Sequence, residues 1–325
     1  MKSEFDIHGT SLEVETGKEG FRQFLEKRLK SFQQEVEDVD MRVSVHFEAP
    51  EFDEDAFSDL GAGTQINENE MIYSDGPLKC RVSMEDELQI AAYLDPETWK
   101  HYGRMAKKGK ERTWNEYYEY FIIRRAIQLP LMWKMQQKGF YPVHASAVEK
   151  DGEAYVFTGF GGVGKTTLGL YLAENDYKLM ADNLVFLKDG KVYPYPEMLR
   201  VTDFTVERTS ILEKTGERVF GQEIVETDDK NIASEPTELE KIFLLNRGKF
   251  RTSDVENDVD RLLGLADNLQ EFHTHHYPSL FSFITDENIV SREQIYRESL
   301  EDTKVKNLSY SSFEDVKELI GSDEK

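Results

Sequence analysis

The sequence has little of what marks a secreted, cysteine-metal or membrane-spanning protein. It contains one cysteine, Cys80, so it can form neither a disulfide within the chain nor a metal site with several cysteine ligands. It has no apolar run of about eighteen residues, and residues 1–6 lack the apolar stretch of a signal peptide. These absences predict a cytoplasmic protein with no membrane partner.

Positive charge is also scarce, with 40 Lys and Arg against 63 Asp and Glu and a formal net charge of −23. Nucleic acids and anionic membranes both attract basic proteins, so this balance predicts neither as a partner. Hydrophobic residues make up 39% of the 325 residues, which is enough for a buried core. The chain is therefore expected to be globular, and its composition leaves homo-oligomer formation and the cause of the acidity open.

Residues 159–166 match the G-x-x-x-x-G-K-[ST] pattern of a phosphate-binding P-loop at every constrained position. The glycines let backbone N–H groups turn toward an anion, Lys165 can reach the outer phosphates, and Thr166 can bind Mg²⁺. An apolar strand pattern precedes the loop and a helical pattern follows it, which disfavours a chance match in a structural loop. The predicted nucleotide-binding residues are Gly159, Phe160, Gly161, Gly162, Val163, Gly164, Lys165, Thr166 and Thr167.

The residues before the P-loop predict a hairpin that brings a histidine to it. Asp151 and Gly152 lie between two apolar runs, a strong signal for a two-residue β-turn. In that register the numbers of facing residues sum to 303, which sets His144 beside Gly159. We therefore expect His144 to lie at the phosphates, although a histidine that merely packs at a strand end fits the same pattern.

A carboxylate follows the next apolar strand after the P-loop helix. Residues 177–181 end at Asp182, an arrangement similar to a short Walker B element, and Asp182 should open toward the nucleotide. A second Asp-Gly turn at residues 189–190 predicts another hairpin, and its extended register would set Glu197 beside Asp182. Pro194 and Pro196 interrupt such a ladder. The candidate metal ligands are Thr166, Asp182 and Glu197, and Arg200 is a candidate phosphate contact.

The sequence predicts an N-terminal accessory region followed by the catalytic domain. Residues 1–112 carry no recognised motif and predict an N-terminal α+β region, whereas residues 113–325 are assigned to the P-loop domain. Thr113 and Glu116 fit a capping box that opens a buried helix through Met135, kinked near Pro130. Further predicted elements are helices at 21–29, 256–269 and 313–320 and strands at 41–47 and 239–245. The His-rich run at 272–277 fits a polar surface turn better than a metal site.

Several P-loop families share the Gly-Gly-Val-Gly-Lys-Thr-Thr core, and the surrounding sequence separates them. Partitioning ATPases of the deviant Walker class have a lysine where this chain has Phe160. Signal-transduction ATPases with this loop have distant paired acids followed by a GLPL-like motif, and transporter ATPases have an LSGGQ-like motif. This sequence contains neither of those patterns.

From His144 to about Arg200, with a weaker likeness at 239–248, the chain resembles the HPr kinase/phosphorylase superfamily. In that family a histidine lies fifteen residues before the first P-loop glycine and the catalytic aspartate twenty-three residues after it, as His144 and Asp182 do here. The resemblance implies an α/β fold with α+β character, of the phosphoenolpyruvate carboxykinase type. It implies an ATP- and Mg²⁺-dependent kinase with Asp182 as base, His144 and Lys165 as further catalytic residues and Thr166 on the metal.

This sequence departs from the family pattern in three ways. Asn183 replaces the family's second aspartate, the glycine-rich motif of bacterial HPr kinases is missing, and residues 1–110 do not match its N-terminal domain. The acceptor is therefore an unidentified protein serine or small-molecule hydroxyl, and reverse phosphorolysis stays open. The alternative is a non-catalytic or slowly hydrolysing ATP-binding regulatory module.

Overall fold

The computed structural model describes residues 1–51, 56–61, 63–68, 70–84, 87–98, 113–255, 294, 300 and 303–322. Within these residues the chain forms two compact units, residues 1–138 and the residues from 139 onward. Both units mix helices with β-sheet, so the chain is of the mixed α/β type. None of the helices in the described ranges is long and apolar enough to cross a membrane. The predicted helix at 256–269 and the His-rich run at 272–277 lie outside the described residues.

The first unit contains an eight-stranded sheet. Its strands are β1 (Lys2–Asp6), β2 (Ser11–Thr16), β3 (Met41–His46), β4 (Ser58–Gly61), β5 (Thr64–Ile66), β6 (Glu70–Asp75), β7 (Leu78–Met84) and β8 (Leu88–Leu94), in the order β1-β2-β3-β8-β7-β6-β5-β4. Alternate residues of β3 are buried, as the period of a half-buried strand requires, which confirms the predicted strand.

Helices cover one face of this sheet. They are α1 (Glu19–Arg28), a 3₁₀ turn (Lys30–Phe32), α2 (Trp114–Tyr117), a π-helical segment (Tyr118–Gln128) and α3 (Leu129–Gln137). The predicted capping box opens α2: the Thr113 side chain accepts the Glu116 N–H and the Glu116 carboxylate accepts the Thr113 N–H. The predicted kink near Pro130 coincides with the junction of the π-helical and α-helical segments.

The helical segment 114–137 packs within the first unit. The buried Tyr73 hydroxyl of β6 donates to the Arg125 carbonyl at 2.6 Å, and the Arg125 guanidinium pairs with Asp75 at 2.6 Å. The first compact unit therefore extends to residue 138, although the sequence assigned residues 113–325 to one catalytic domain. That functional division stays a prediction.

The second unit contains a nine-stranded sheet and a separate three-stranded sheet. Its strands are β9 (Tyr141–Val143), β10 (Ala145–Lys150), β11 (Glu153–Thr158), β12 (Lys178–Asp182), β13 (Val185–Lys188), β14 (Lys191–Tyr193), β15 (Leu199–Val201), β16 (Leu212–Val219), β17 (Gln222–Thr227), β18 (Thr237–Arg247), β19 (Arg251–Asp254) and β20 (Lys304–Tyr310). The large sheet runs β12-β10-β11-β18-β14-β13-β9, with β20 paired to β18 and β19 paired to β20, and the small sheet runs β15-β17-β16. The helical elements are α4 (Lys165–Ala173), α5 (Asp203–Val206), a 3₁₀ turn (Asp229–Asn231) and α6 (Phe313–Ser322).

Both hairpins predicted from Asp-Gly pairs are present. In the first, Lys150 faces Glu153 and Ala145 faces Thr158, the predicted register. In the second, Lys188 faces Lys191 and Phe186 faces Tyr193. The turn residues Asp151 and Asp189 have φ of 53° and 51°, values that such tight turns need and that Asp tolerates.

Four strands of the large sheet end at one edge. β11 runs parallel to β18, β18 runs parallel to β20, and β12 shares their direction because β11 and β12 are both antiparallel to β10. Their last residues are Thr158, Asp182, Arg247 and Tyr310. Helices α4 and α6 pack over a buried cluster that includes Phe157, Leu168, Phe243, Leu308 and Val316. This packing fixes the edge where the P-loop emerges.

Candidate active site

The P-loop connects the carboxyl end of β11 to the first turn of α4. Gly164 precedes α4 with φ of 102°, and a Cβ there would lie 2.5 Å from the Arg247 guanidinium and 2.9 Å from the Tyr310 hydroxyl. A Cβ on Gly159 would lie 2.9 Å from the Leu245 carbonyl oxygen. The contact at Gly159 is with backbone, and both residues have a positive φ that L side chains rarely adopt, so glycine is favoured where the loop meets β18 and β20.

Lys165 points back into the loop. Its Nζ donates to the carbonyl oxygens of Gly159 at 2.8 Å and Phe160 at 3.3 Å, and the residue is 9% exposed. Burial lowers the pKa of the ammonium, and the nearby Asp182 carboxylate partly opposes that change. A buried cation whose hydrogen bonds within the described residues go to neutral carbonyls can exchange them for phosphate oxygens.

Thr166 and Asp182 meet directly. The Thr166 hydroxyl donates to Asp182 Oδ2 at 3.0 Å, which joins the first turn of α4 to the end of β12. Asp182 Oδ1 is inaccessible to water and has no hydrogen-bond partner among the described residues, although the residue as a whole is partly exposed. An unsatisfied carboxylate oxygen beside a hydroxyl oxygen fits the hard oxygen donors that Mg²⁺ prefers.

The pKa of Asp182 is raised to about 6, chiefly by burial and to a smaller extent by the charge of Glu197. The Thr166 hydroxyl and the positive charges of Lys165 and Arg200 act in the opposite direction. A carboxyl that titrates near neutral pH can exchange protons at that pH.

Few protein side chains could bind a divalent cation at the carboxyl ends of these strands. The described residues contain no cluster of three or more His, Cys, Asp or Glu side chains that could enclose a metal ion. Mg²⁺ at nucleotide sites commonly binds one or two protein oxygens together with phosphate oxygens and water, so the pair of Thr166 and Asp182 fits it.

Glu197 lies near Asp182, but the predicted route to that position is wrong. The antiparallel ladder ends at Tyr193, and Tyr195 instead forms a parallel bridge with Ala181, its N–H donating to the Met180 carbonyl at 2.9 Å. Pro194 supplies no N–H, which favours this change of partner. Glu197 is buried at 8% exposure, and a direct role on the metal stays a prediction.

The backbone of His144 lies at the mouth of the loop. The ladder of the first hairpin extends to Ala145 and Thr158, and the Thr158 hydroxyl donates to the His144 carbonyl oxygen at 2.8 Å. His144 is half-buried. The predicted register is thus confirmed as far as Ala145, the residue that follows His144, whereas the catalytic role of His144 stays a prediction.

Thr167 is the last residue of the predicted phosphate-binding set. Its hydroxyl lies 2.8 Å from the Thr205 hydroxyl of α5, so its side chain joins two helices. A contribution to phosphate binding would have to come from its backbone N–H. Arg200, on β15, acts on Asp182 through its charge.

Two residues of the site were missed by the sequence reasoning. The Tyr310 hydroxyl donates to the Val163 carbonyl at 2.6 Å, and the Arg247 guanidinium lies 4.8 Å from the Tyr310 ring centre and 5.6 Å from that of Phe313. Burial raises the pKa of Tyr310, and Arg247 opposes the rise. The available signal was their position at the carboxyl ends of apolar strands, the edge at which α/β sheets bind ligands.

Comparisons with known proteins yield no sequence match and a distant structural match. No protein-family model matches the chain, and no curated protein matches it in sequence. Among solved structures, an HPr(Ser) kinase/phosphatase from Coxiella burnetii is similar at 13% identity and a TM-score of 0.27. That match covers 57% of this chain and 99% of the other, and indicates only a distant structural relationship.

Proposed function

We propose that this chain is an ATP- and Mg²⁺-dependent phosphotransferase that moves the γ-phosphate to a hydroxyl of a protein or small molecule. The observation that carries the proposal is the contact between Thr166 and Asp182, because it joins the P-loop to a carboxylate with one unsatisfied oxygen. A loop that served only to connect strand and helix would have no need of a buried carboxylate there.

Lys165 and the loop would hold the nucleotide. The Lys165 ammonium would exchange the carbonyls of Gly159 and Phe160 for phosphate oxygens, and the N-terminus of α4 would add its N–H groups. Arg247, beside Gly164, is a second cation at the same edge. These groups position the phosphates and offset their charge, which is the main source of rate in this chemistry.

Mg²⁺, when bound through Thr166 and Asp182, would neutralise negative charge on the phosphate oxygens. Asp182 in its ionised form would accept the proton of the acceptor hydroxyl. The acceptor oxygen then forms its bond to the γ-phosphorus while the bond from that phosphorus to the bridging oxygen breaks and ADP leaves. His144 would lie beside this centre, and its replacement by Ala should lower turnover more than nucleotide affinity.

The test is transfer of label from [γ-³²P]ATP. The protein with Mg²⁺ is added to a dialysed cell lysate and, separately, to the small-molecule fraction, and labelled acceptors are identified by mass spectrometry. Wild type should label an acceptor, and Asp182→Asn should reduce the rate by about 100-fold, the scale of a lost general base. Label found only in inorganic phosphate would favour the ATP-binding regulatory module instead.

A further inference from the structure

The turn between β18 and β19 is a concentration of positive charge in an acidic chain. Residues 241–253 contain Lys241, Arg247, Lys249 and Arg251 and no acidic residue, although the whole chain carries a net charge of −23. Residues 247–251, called the basic turn below, are all exposed. A local positive field of this kind selects negatively charged partners.

The basic turn lies at the active-site edge. β18 and β19 both pair with β20, so the turn crosses the end of β20, and the Gly248 N–H donates to the Tyr310 carbonyl at 3.1 Å. Tyr310 in turn holds the P-loop through the Val163 carbonyl. Arg247 faces Gly164 in the loop, whereas Lys249 and Arg251 lie farther along the turn.

The charges of the turn are available to a partner. Neither Lys249 nor Arg251 forms a side-chain ion pair with any of the residues that the structure describes, and Arg247 contacts aromatic rings there. The lysines of neighbouring β20 do have acidic partners, Glu240 for Lys304 and Asp254 for Lys306. The cations of the basic turn are therefore placed for an external anion.

Exposed aromatic rings accompany these charges. Phe250 in the turn is 47% exposed, Phe160 at the P-loop 68%, and Phe204 of α5 49%. They are the three large hydrophobic side chains exposed in the described part of the second unit. The Phe204 helix contacts the P-loop helix through Thr205 and Thr167. Exposed rings on a unit that also exposes a charged turn are typical of a protein-binding surface.

We propose that the basic turn is the docking surface for an acidic polypeptide segment with an apolar side chain, which presents its hydroxyl to the P-loop. This inference rests on the proposed function and assigns its acceptor to the class of proteins. A small anion would be matched by a concave pocket, whereas separated exposed rings and cations suit an extended segment.

The test uses fluorescein-labelled peptides and the full chain. One peptide is rich in Asp and Glu with one Ser and two Leu, the second has Lys in place of every acid, and the third has Ala in place of Leu. Fluorescence anisotropy measures binding to wild type, to Lys249→Ala/Arg251→Ala, to Phe250→Ala, and to the control Lys214→Ala/Lys230→Ala. The control removes two exposed lysines of the same unit and makes the same change of net charge.

We expect wild type and control to bind the acidic peptide with similar Kd, and Lys249→Ala/Arg251→Ala to bind it about tenfold more weakly. The difference should shrink between about 50 mM and about 300 mM NaCl, as exposed charges are screened. Phe250→Ala and the peptide without Leu should each weaken binding.

Absence of binding to wild type, equal binding by Lys249→Ala/Arg251→Ala, or equal binding of the Lys peptide would overturn the docking surface. Stronger binding of a single-stranded oligonucleotide of equal charge would replace it with a nucleic-acid site. The melting shift produced by a non-hydrolysable ATP analogue is measured on the same samples. Loss of that shift with intact peptide binding would contradict the nucleotide site and leave the docking surface standing.

Discussion

The burial of Asp182 affects both the stability of the protein and the chemistry proposed for this residue. A carboxylate at the end of an apolar strand pays a desolvation cost, and here its Oδ1 has no compensating hydrogen bond in the described structure. The same burial brings its pKa to about 6, within reach of neutral-pH proton transfer. The cost falls on the ionised form alone, so it can be detected without knowing the acceptor.

The stability of the metal-free protein should reveal this cost. Folding raises the Asp182 pKa, so the folded protein favours the protonated carboxyl. The resulting free energy of stabilisation is fully present below about pH 4 and is lost as pH rises through about 6. Asp182→Asn has no such loss and keeps an oxygen for the Thr166 hydroxyl. Its melting temperature relative to wild type, measured in EDTA, should therefore rise between about pH 5 and about pH 8. A difference that does not change with pH would contradict a raised pKa.

The sequence predicted that Thr166 and Asp182 lie together, but it did not predict every contact around them. The spacing of Lys165, Thr166 and Asp182 predicted a shared site, and the Thr166 to Asp182 hydrogen bond agrees with it. The route to Glu197 was wrong because a parallel bridge at Tyr195 replaced the expected ladder. Tyr310 could not be found from spacing, because its contact with Val163 joins residues 147 apart in sequence.

At the scale of elements, the site depends on how closely α4 approaches β10. Gly169 of α4 faces Ser146 of β10, and a Cβ on Gly169 would collide with the Ser146 hydroxyl. Ser146 is fully buried and its Cα faces that of Asp182 in the next strand. The glycine therefore sets the distance between the P-loop helix and the strand that pairs with the Asp182 strand.

Gly169→Ala tests this packing. In an open helix the change stabilises by about 1 kcal/mol, whereas a forced contact in a packed core costs about 1–3 kcal/mol. We expect net destabilisation in urea unfolding, and partial recovery in Gly169→Ala/Ser146→Ala, where the colliding oxygen is removed. A stabilised single variant would contradict the close approach.

Elements with strong local signals were predicted well. The two Asp-Gly hairpins, the capping box at Thr113 and the strand at 239–245 are all present. The π-helical form of residues 118–128 was not foreseen, because apolar periodicity does not distinguish it from an α-helix. The order of strands in the large sheet depends on long-range pairing, which local patterns do not encode.

At the scale of the whole molecule, the dominant feature is the net charge of −23. Like charges at this density repel one another in the compact state, and salt screens them. The urea midpoint should rise as NaCl increases from about 20 mM to about 300 mM, a range in which screening dominates over salting-out. A falling midpoint would mean that attractive surface ion pairs, such as those of Arg22 with Glu19 and Glu26, outweigh the net repulsion.

Calorimetric titration with a non-hydrolysable ATP analogue tests the proposed nucleotide–Mg²⁺ site at the four strand ends and the P-loop. Wild type should bind the analogue more tightly with Mg²⁺ than without it. Lys165→Ala should bind about tenfold to hundredfold more weakly, the scale of lost charged hydrogen bonds. The control Lys191→Ala changes a β14 residue that faces Glu238, near the amino end of β18, and should bind like wild type. Equal affinities for wild type and Lys165→Ala, or no effect of Mg²⁺ on the affinity of wild type, would rule out this nucleotide–Mg²⁺ site.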